Sequence, residues 1–274
     1  MLQNITPHKL FNQYSLKTVC TPNDTVLCFS GGKLLIKSAT DTLIFPKAAE
    51  TGDNLNFTYL FSVDGEKYFL LNEPEISVSG FEFAELREIR EKYSHNKPEL
   101  YAAFTGKHLA DWYRDTKFCG RCGGKMIHSE RERAMICSSC GYTAYPRIMP
   151  AVIVGVINGN SILITRYRVG YRHNALVAGF TEIGETMEET VAREVMEETG
   201  LNVRNIRYYK SQPWGIANDM LIGFFCEVDG ETSIRMDENE LKYAEWVKRE
   251  DIELQPDDLS LTNDMMRYFK EQSI

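Results

Sequence analysis

Residues 179–201 read GFTEIGETMEETVAREVMEETGL, and the run from Gly184 to Gly200 carries six glutamates against one arginine. Like charges four apart on a helix cost about 0.2–0.5 kcal/mol per pair, so helix stability alone does not account for the cluster. The run is nevertheless punctuated as a helix. Thr186 followed three positions on by Glu189 is a capping box, and Gly200 supplies the usual C-terminal stop. Between them Val191 and Val195, with Met187 and Ala192, form the expected apolar stripe. Glu194, Glu197 and Glu198 stand at i, i+3 and i+4 and are expected together on the opposite face. Three carboxylates with only Arg193 near in sequence make a hard, oxygen-rich site of the kind that takes Mg²⁺ or Mn²⁺, with phosphate oxygens and water completing the shell. The plainer reading is a solvated acidic helix face.

Working outward, AVIVGVI (151–157) and SILITRY (161–167) flank Asn158-Gly159-Asn160, a good hairpin turn. After the glutamate helix come IRYYK (206–210), MLIGFFCEV (220–228) and AEWVK (244–248), then an amphipathic helix over about 260–271. Residues 1 to about 80 read as mostly β. VLCFS (26–30) and KLLIK (33–37) flank Gly-Gly, and FTYLFSV (57–63) and KYFLLNE (67–73) flank Asp64-Gly65. FEFAELREIREKY (81–93) and PELYAAFTGKHLADWYRD (98–115) carry helical apolar spacing, with Pro98 where a helix would begin. No catalytic constellation is visible in this region, which reads as a packing or dimerisation domain. The spans are an N-terminal β-rich domain (1–115), a cysteine segment (116–143) and a catalytic unit (144–274).

In the cysteine segment Cys119-x2-Cys122 and Cys137-x2-Cys140 are separated by fourteen residues, and a glycine follows each pair. Tight turns of this kind aim four thiolates at one tetrahedral zinc. A disulfide framework is the competing reading, disfavoured because nothing indicates export. Four sulfurs fill all four positions, so the metal is expected to be structural, one per chain. His128 is then left without a vacancy and reads as a surface residue. Arg121, Lys125, Arg131 and Arg133 alternate with Glu130 and Glu132, the pattern of a solvated hairpin. Cys20, Cys28 and Cys226 stand alone in strand-like runs and read as buried thiols.

The 274 residues are 43% hydrophobic and 26% charged, an ordinary globular composition. No stretch approaches the roughly 20 apolar residues of a membrane span. The first residues, MLQNITPHKLFNQYSL, lack the pattern of a signal peptide, so a cytoplasmic location is the default. The formal net charge of −8 argues against a surface that grips long nucleic acid through many phosphates. It leaves room for a small anionic ligand, because bound cations invert the local potential.

The run Gly179-x5-Glu185-x7-Arg193-Glu194-Val195-Met196-Glu197-Glu198-Thr199-Gly200-Leu201 matches the Nudix box, G-x5-E-x7-R-E-U-x-E-E-x-G-U, at all nine specified positions of a 23-residue motif. The chain therefore resembles the Nudix hydrolases. That resemblance implies a Nudix α/β/α sandwich, which together with the β-rich N-terminal domain and the zinc ribbon makes an α+β architecture. It also implies cleavage of a nucleoside diphosphate linked to another group, with Glu194, Glu197 and Glu198 as Mg²⁺ or Mn²⁺ ligands. By the same resemblance Arg193 is expected to orient the Glu185 side of the loop. One of the three glutamates, or a nearby carboxylate, would deprotonate the attacking water.

Cysteine segment, YPRIMPAVIVGVI, box and SQPW, in that order and with Trp112 and FCGRCGG ahead, look like the NADH pyrophosphatase branch over about residues 100–250. The resemblance implies hydrolysis of NAD(H) to nicotinamide mononucleotide and AMP, in some members removal of the NAD cap from RNA, and a homodimer. It makes Glu240 a further metal ligand, against the plain reading of an exposed loop acid. Phe180, after Ala178-Gly179, and Tyr145 become the aromatics that sandwich a base, and Gln212 and Trp214 of SQPW join them in substrate binding. Arg166, Arg168 and Arg172, interleaved with Tyr167 and Tyr171, either steady the diphosphate or form a solvated strand edge, which is slightly favoured. The chain departs from the branch after SQPW. Gly215-Ile216-Ala217-Asn218-Asp219 replaces Pro-Phe-Pro-x-Ser, trading a rigid turn for backbone freedom. Selectivity for the reduced dinucleotide is thereby in question, and a broader dinucleotide or ADP-ribose diphosphatase is the alternative. From another class, a zinc-ribbon nucleic-acid-binding module with an inactive helix is disfavoured by the intact box and the acidic charge.

Overall fold

Two short strands, Leu10–Phe11 (β1) and Thr25–Leu27 (β2), open the chain, and two glycine turns then shape a pair of hairpins. Gly31 and Gly32 at φ 55° and 84° fold Phe29–Ser30 (β3) onto Lys33–Lys37 (β4). After a single helical turn, Ala48–Thr51 (α1), Asp64 and Gly65 at φ 50° and 89° fold Phe57–Val63 (β5) onto Glu66–Leu71 (β6). Positive φ at both central positions matches the right-handed twist of the flanking strands, and both expected hairpins form. The next segment corrects the sequence reading. Phe81–Glu85 (β7) is a strand paired with β4, and the helix begins only at Leu86 (Leu86–Lys92, α2). Phe81 and Phe83 are two apart and both pack on the core of Val26, Cys28, Leu35 and Leu71, so the period there is two and not helical. Lys97–Asp115 (α3) follows with Pro98 in its first turn.

A small three-stranded sheet, Met126–His128 (β8), Met135–Cys137 (β9) and Thr143–Ala144 (β10), carries the cysteine pairs. The computed structural model describes residues 1–37, 40–72, 76–168 and 173–271. The chain divides into two units. One comprises residues 2–147 together with 215–218; the other comprises Met1, 148–214 and 219–274.

The second unit is built on a six-stranded sheet. Its strands are Met149–Asn158 (β11), Ser161–Tyr167 (β12), Val177–Phe180 (β13), Asn202–Trp214 (β14), Asp219–Asp229 (β15) and Leu241–Lys248 (β16). The order is β14-β15-β11-β12-β16, with β13 also paired to β11; β11 and β15 are parallel and the other pairs antiparallel. The run AVIVGVI is apolar at successive positions because the sheet is covered on both faces. Val152, Val154 and Val156 meet Val191 and Val195 of Met187–Thr199 (α4). Ile153, Ile162, Ile164 and Phe225 meet Leu261, Met265 and Phe269 of Leu261–Glu271 (α5). Each fully buried side chain of this size contributes about 1.5–3 kcal/mol. The result is an α/β/α sandwich. Among the described residues no helix is long and apolar enough to cross a membrane.

Candidate active site and zinc-binding cluster

The expected caps of α4 both form. Thr186 Oγ1 accepts from the Glu189 amide at 3.2 Å, Glu189 Oε2 accepts from the Thr186 amide at 2.8 Å, and Gly200 ends the helix at φ 69°. From this helix Arg193 reaches back over the loop before it. Its Nε and Nη2 donate to the two oxygens of Glu185 at 2.6 and 2.9 Å, a bidentate fork. Nη2 also donates to the Phe180 carbonyl at 2.9 Å, and Nη1 to Glu194 at 2.7 Å and Glu197 at 3.0 Å. The fork, with donors from the Glu182 amide and the Thr190 hydroxyl, holds Glu185 down at about 2. Glu185 is thus a fixed anion that locks the loop, and Arg193 is the hub that gathers three glutamates around one guanidinium.

Glu198 corrects the reading of the helix faces. It lies at i+7 from Val191 and i+3 from Val195, so it continues the buried stripe and is only 2% exposed. Ala192, expected in that stripe, is exposed, and Thr190 and Thr199 are buried instead. Burial pushes Glu198 up to about 8, with the charges of Glu194 and Glu240 adding to the rise. Glu194 is raised too, chiefly by burial and further by Glu197 and Glu240. Its carboxylate packs directly on the Cα of Gly179, where an added Cβ would overlap it; that close approach is why the box opens on glycine. Tyr167 was missed in the sequence. Its hydroxyl donates to Glu198 Oε1 at 3.1 Å and accepts from the Ala178 amide at 3.0 Å. Two-residue alternation along SILITRY puts it on the face of Leu163, toward α4, and that was the available signal.

Glu240 stands exposed in the turn before β16, where the Arg168 amide and Nε bond the carbonyls of Glu240 and Glu238. Among the described residues neither Glu198 nor Glu240 has a cationic partner. Buried and clustered carboxylates left in that state need a cation, and all-oxygen donors of this kind fit a hard divalent ion. Arg166 bonds Asn174 at 2.8 Å and lies over the Tyr243 ring, so it acts in the strand edge. Arg172 and Tyr171 lie outside the described residues.

Phe180, in register with Ala151, is 52% exposed, and Tyr145, in the first unit, is 56% exposed with its hydroxyl on Glu132. Ala178 is half-buried, held through its amide by Tyr167. Gln212 is fully buried. Its amide donates to the Leu259 carbonyl at 2.8 Å and accepts from the Leu261 amide at 2.6 Å, tying β14 to the start of α5. Trp214 is half-buried and pairs with Asp219 across the four-residue turn that replaces the proline-bounded one. Gly215 in that turn lies against the Phe104 carbonyl of α3, where a Cβ would strike the backbone. A glycine is therefore required here.

The four cysteines expected to bind zinc converge. Their sulfurs all lie within 4.8 Å of one another, with Cys119–Cys140 at 3.8 Å and Cys122–Cys137 at 3.5 Å. Sulfurs of a zinc tetrahedron with bonds of about 2.3 Å sit roughly 3.8 Å apart. The two pairs are built alike. Gly123 and Gly141, at φ 73° and 71°, return their amides to the Cys119 and Cys137 carbonyls at 2.8 and 3.0 Å. Amides of Arg121 and Ser139 point at the Cys119 and Cys137 sulfurs, both at 3.4 Å. Such donors stabilise thiolate, the form that ligates metal. His128 is not the surface residue expected: it is half-buried and its ring lies 5.1 Å from that of Tyr113. Cys28 and Cys226 are buried as expected, and Cys20 only partly.

Two domain families match the chain. Residues 147–269 match the NUDIX domain, and residues 114–145 match the NADH pyrophosphatase zinc ribbon domain. An NAD-capped RNA hydrolase NudC from Citrobacter koseri is 39% identical over 204 residues, covering 72% of this chain and 78% of that protein. The protein of the same name from Escherichia coli K12 / DH10B is 44% identical over 154 residues, covering 55% of this chain and 59% of its own length. The crystal structure of a NUDIX hydrolase from Nitrosomonas europaea shares the fold, with a TM-score of 0.50 at 23% identity over 57% of this chain and 92% of that one.

Proposed function

Because the chain belongs to the Nudix hydrolases, in the branch that carries the NADH pyrophosphatase zinc ribbon, we propose that it hydrolyses the diphosphate bond of NAD(H) to nicotinamide mononucleotide and AMP, and the same bond in NAD-capped RNA. The observation that carries this reading is the carboxylate cluster around Arg193, with Glu198 and Glu240 left without cationic partners among the described residues. Glu194, Glu197, Glu198 and Glu240 would hold Mg²⁺ or Mn²⁺. Such ions polarise the phosphoryl oxygens and lower the pKa of the attacking water. Arg193, locked to Glu185, keeps Glu194 and Glu197 in place without reorganisation during the reaction. Tyr167 orients Glu198 through one hydrogen bond. A carboxylate of the cluster accepts the proton from the water. Phe180 and Tyr145 stack on bases, with Ala178, Gln212 and Trp214 supporting the substrate. The zinc held by Cys119, Cys122, Cys137 and Cys140 is structural. The working molecule is a cytoplasmic homodimer.

The relatives named for NAD-capped RNA support the substrate class. The turn at Gly215–Asn218 favours a second reading, a broader dinucleotide or ADP-ribose diphosphatase. The test is kcat/KM for NADH, NAD⁺, ADP-ribose, diadenosine diphosphate and a short NAD-capped RNA, each with Mg²⁺ and Mn²⁺, quantifying nicotinamide mononucleotide and AMP. Cleavage of NAD(H) and capped RNA above the rest is expected; preference for ADP-ribose would replace this reading by the second.

A further inference from the structure

We infer that Asp219 is a specificity-determining residue whose carboxylate, set at the same end and on the same face of the sheet as Phe180, selects the oxidised, positively charged nicotinamide ring over the reduced, neutral one. The inference rests on NAD(H) being the substrate.

Placement comes from strand register. Asp219 opens β15, opposite Trp214 on one side and Met149 on the other. Two residues along, Ala151 of β11 lies between Leu221 and Phe180. Ile153, Leu221 and Ala178 all pack on the α5 side of the sheet. Side chains two apart share a face, so Asp219, Met149, Ala151 and Phe180 share that side. Strands about 4.8 Å apart with a rise of about 3.3 Å per residue put the Phe180 and Asp219 Cα atoms about 12 Å apart. An exposed aromatic side chain and one ring stacked on it span such a gap.

Asp219 is anomalous where it sits. It is 6% exposed, its Oδ1 is buried without a partner, and no described residue donates to either oxygen. Buried polar groups are bonded in all but a few cases, and an unmatched carboxylate is costly to hold. Burial alone raises it to about 6, so above that pH it is a bare anion. What relieves it is a cation with an N–H donor. Among the parts of a dinucleotide the phosphates repel it and the adenine is neutral. Only the oxidised nicotinamide ring carries positive charge, and its carboxamide supplies the N–H. The reduced ring keeps the carboxamide and loses the charge, so Asp219 separates the two by charge. The same preference favours an RNA cap that carries the oxidised ring.

The test is the ratio of kcat/KM for NAD⁺ to that for NADH, at pH 7.5 with one divalent ion, in the wild type, Asp219→Asn and Asp219→Ser, with thermal melting to certify each fold. Calorimetric binding of oxidised and reduced nicotinamide mononucleotide to the wild type gives a readout without turnover. The wild type is expected to prefer NAD⁺ by about tenfold, or about 1.4 kcal/mol, and both variants to bring the ratio near unity. A wild-type ratio at or below one overturns the inference, as does an unchanged ratio in a folded variant. If neither variant folds, equal binding of the two mononucleotides overturns it and tighter binding of the oxidised one upholds it. Cleavage of both dinucleotides without preference sinks this inference and leaves the NAD(H) reading standing. Cleavage of ADP-ribose with neither dinucleotide touched sinks both.

Discussion

Glu198 sits three residues past Val195 on α4, and that spacing turns its carboxylate into the apolar side of the helix, where the Tyr167 hydroxyl donates to it. Burial raises it from 4.5 to about 8. Below about pH 4.5 the group is protonated folded or unfolded and costs nothing. Between about 4.5 and 8 the unfolded state gives up this proton while the folded state keeps it, so stability falls as pH rises and the loss is complete above 8. Without added divalent ions, Glu198→Gln should therefore be more stable than wild type by roughly 2–4 kcal/mol at pH 9, with no gain at pH 4. Turnover with metal present should fall by more than about a hundredfold. Chemical denaturation at both pH values checks the first and a product assay the second; a gain of stability equal at both would show the carboxylate is not desolvated. The box residues were legible in the sequence because each is specified by type. That Glu198 faces inward was not, because helical spacing alone gives two nearby faces, and only the packed partner decides between them. Gln212 is similar: its motif was visible, whereas the Leu259 and Leu261 backbone groups it binds lie far along the chain.

The ribbon strands, three, three and two residues long, bury too little apolar surface to hold their shape alone. The cysteine loops need metal to hold the thiolates together. Purified protein is expected to contain one zinc per chain. Chelation should raise hydrogen exchange of the amides at Gly123 and Gly141 while the strands β11 and β15 stay protected; zinc well below one per chain in carefully purified protein would remove the assignment. The element could be read from sequence because the signal is spacing, which survives without any partner. FEFAE was misread because its two phenylalanines satisfy a helical pattern as well as an alternating one. Only pairing with β4 selects the strand.

At the scale of the molecule, the sequence yielded the order of parts, the sandwich and the ribbon, since each has a local signature. It did not yield where the units meet along the chain, which depends on distant contacts. The proposed homodimer would have a mass in solution twice the 31.4 kDa of one chain, read by light scattering at micromolar concentration; a monomer there refutes it. The four residues 215–218 belong to the first unit, although β14 and β15 on either side of them belong to the second. Inheritance is constrained as a result. No recombination at a single junction hands the catalytic half a new N-terminal neighbour, because a piece of the old neighbour is written between two of its own strands. Gly215, with no room for a side chain beside Phe104, ties that piece to α3.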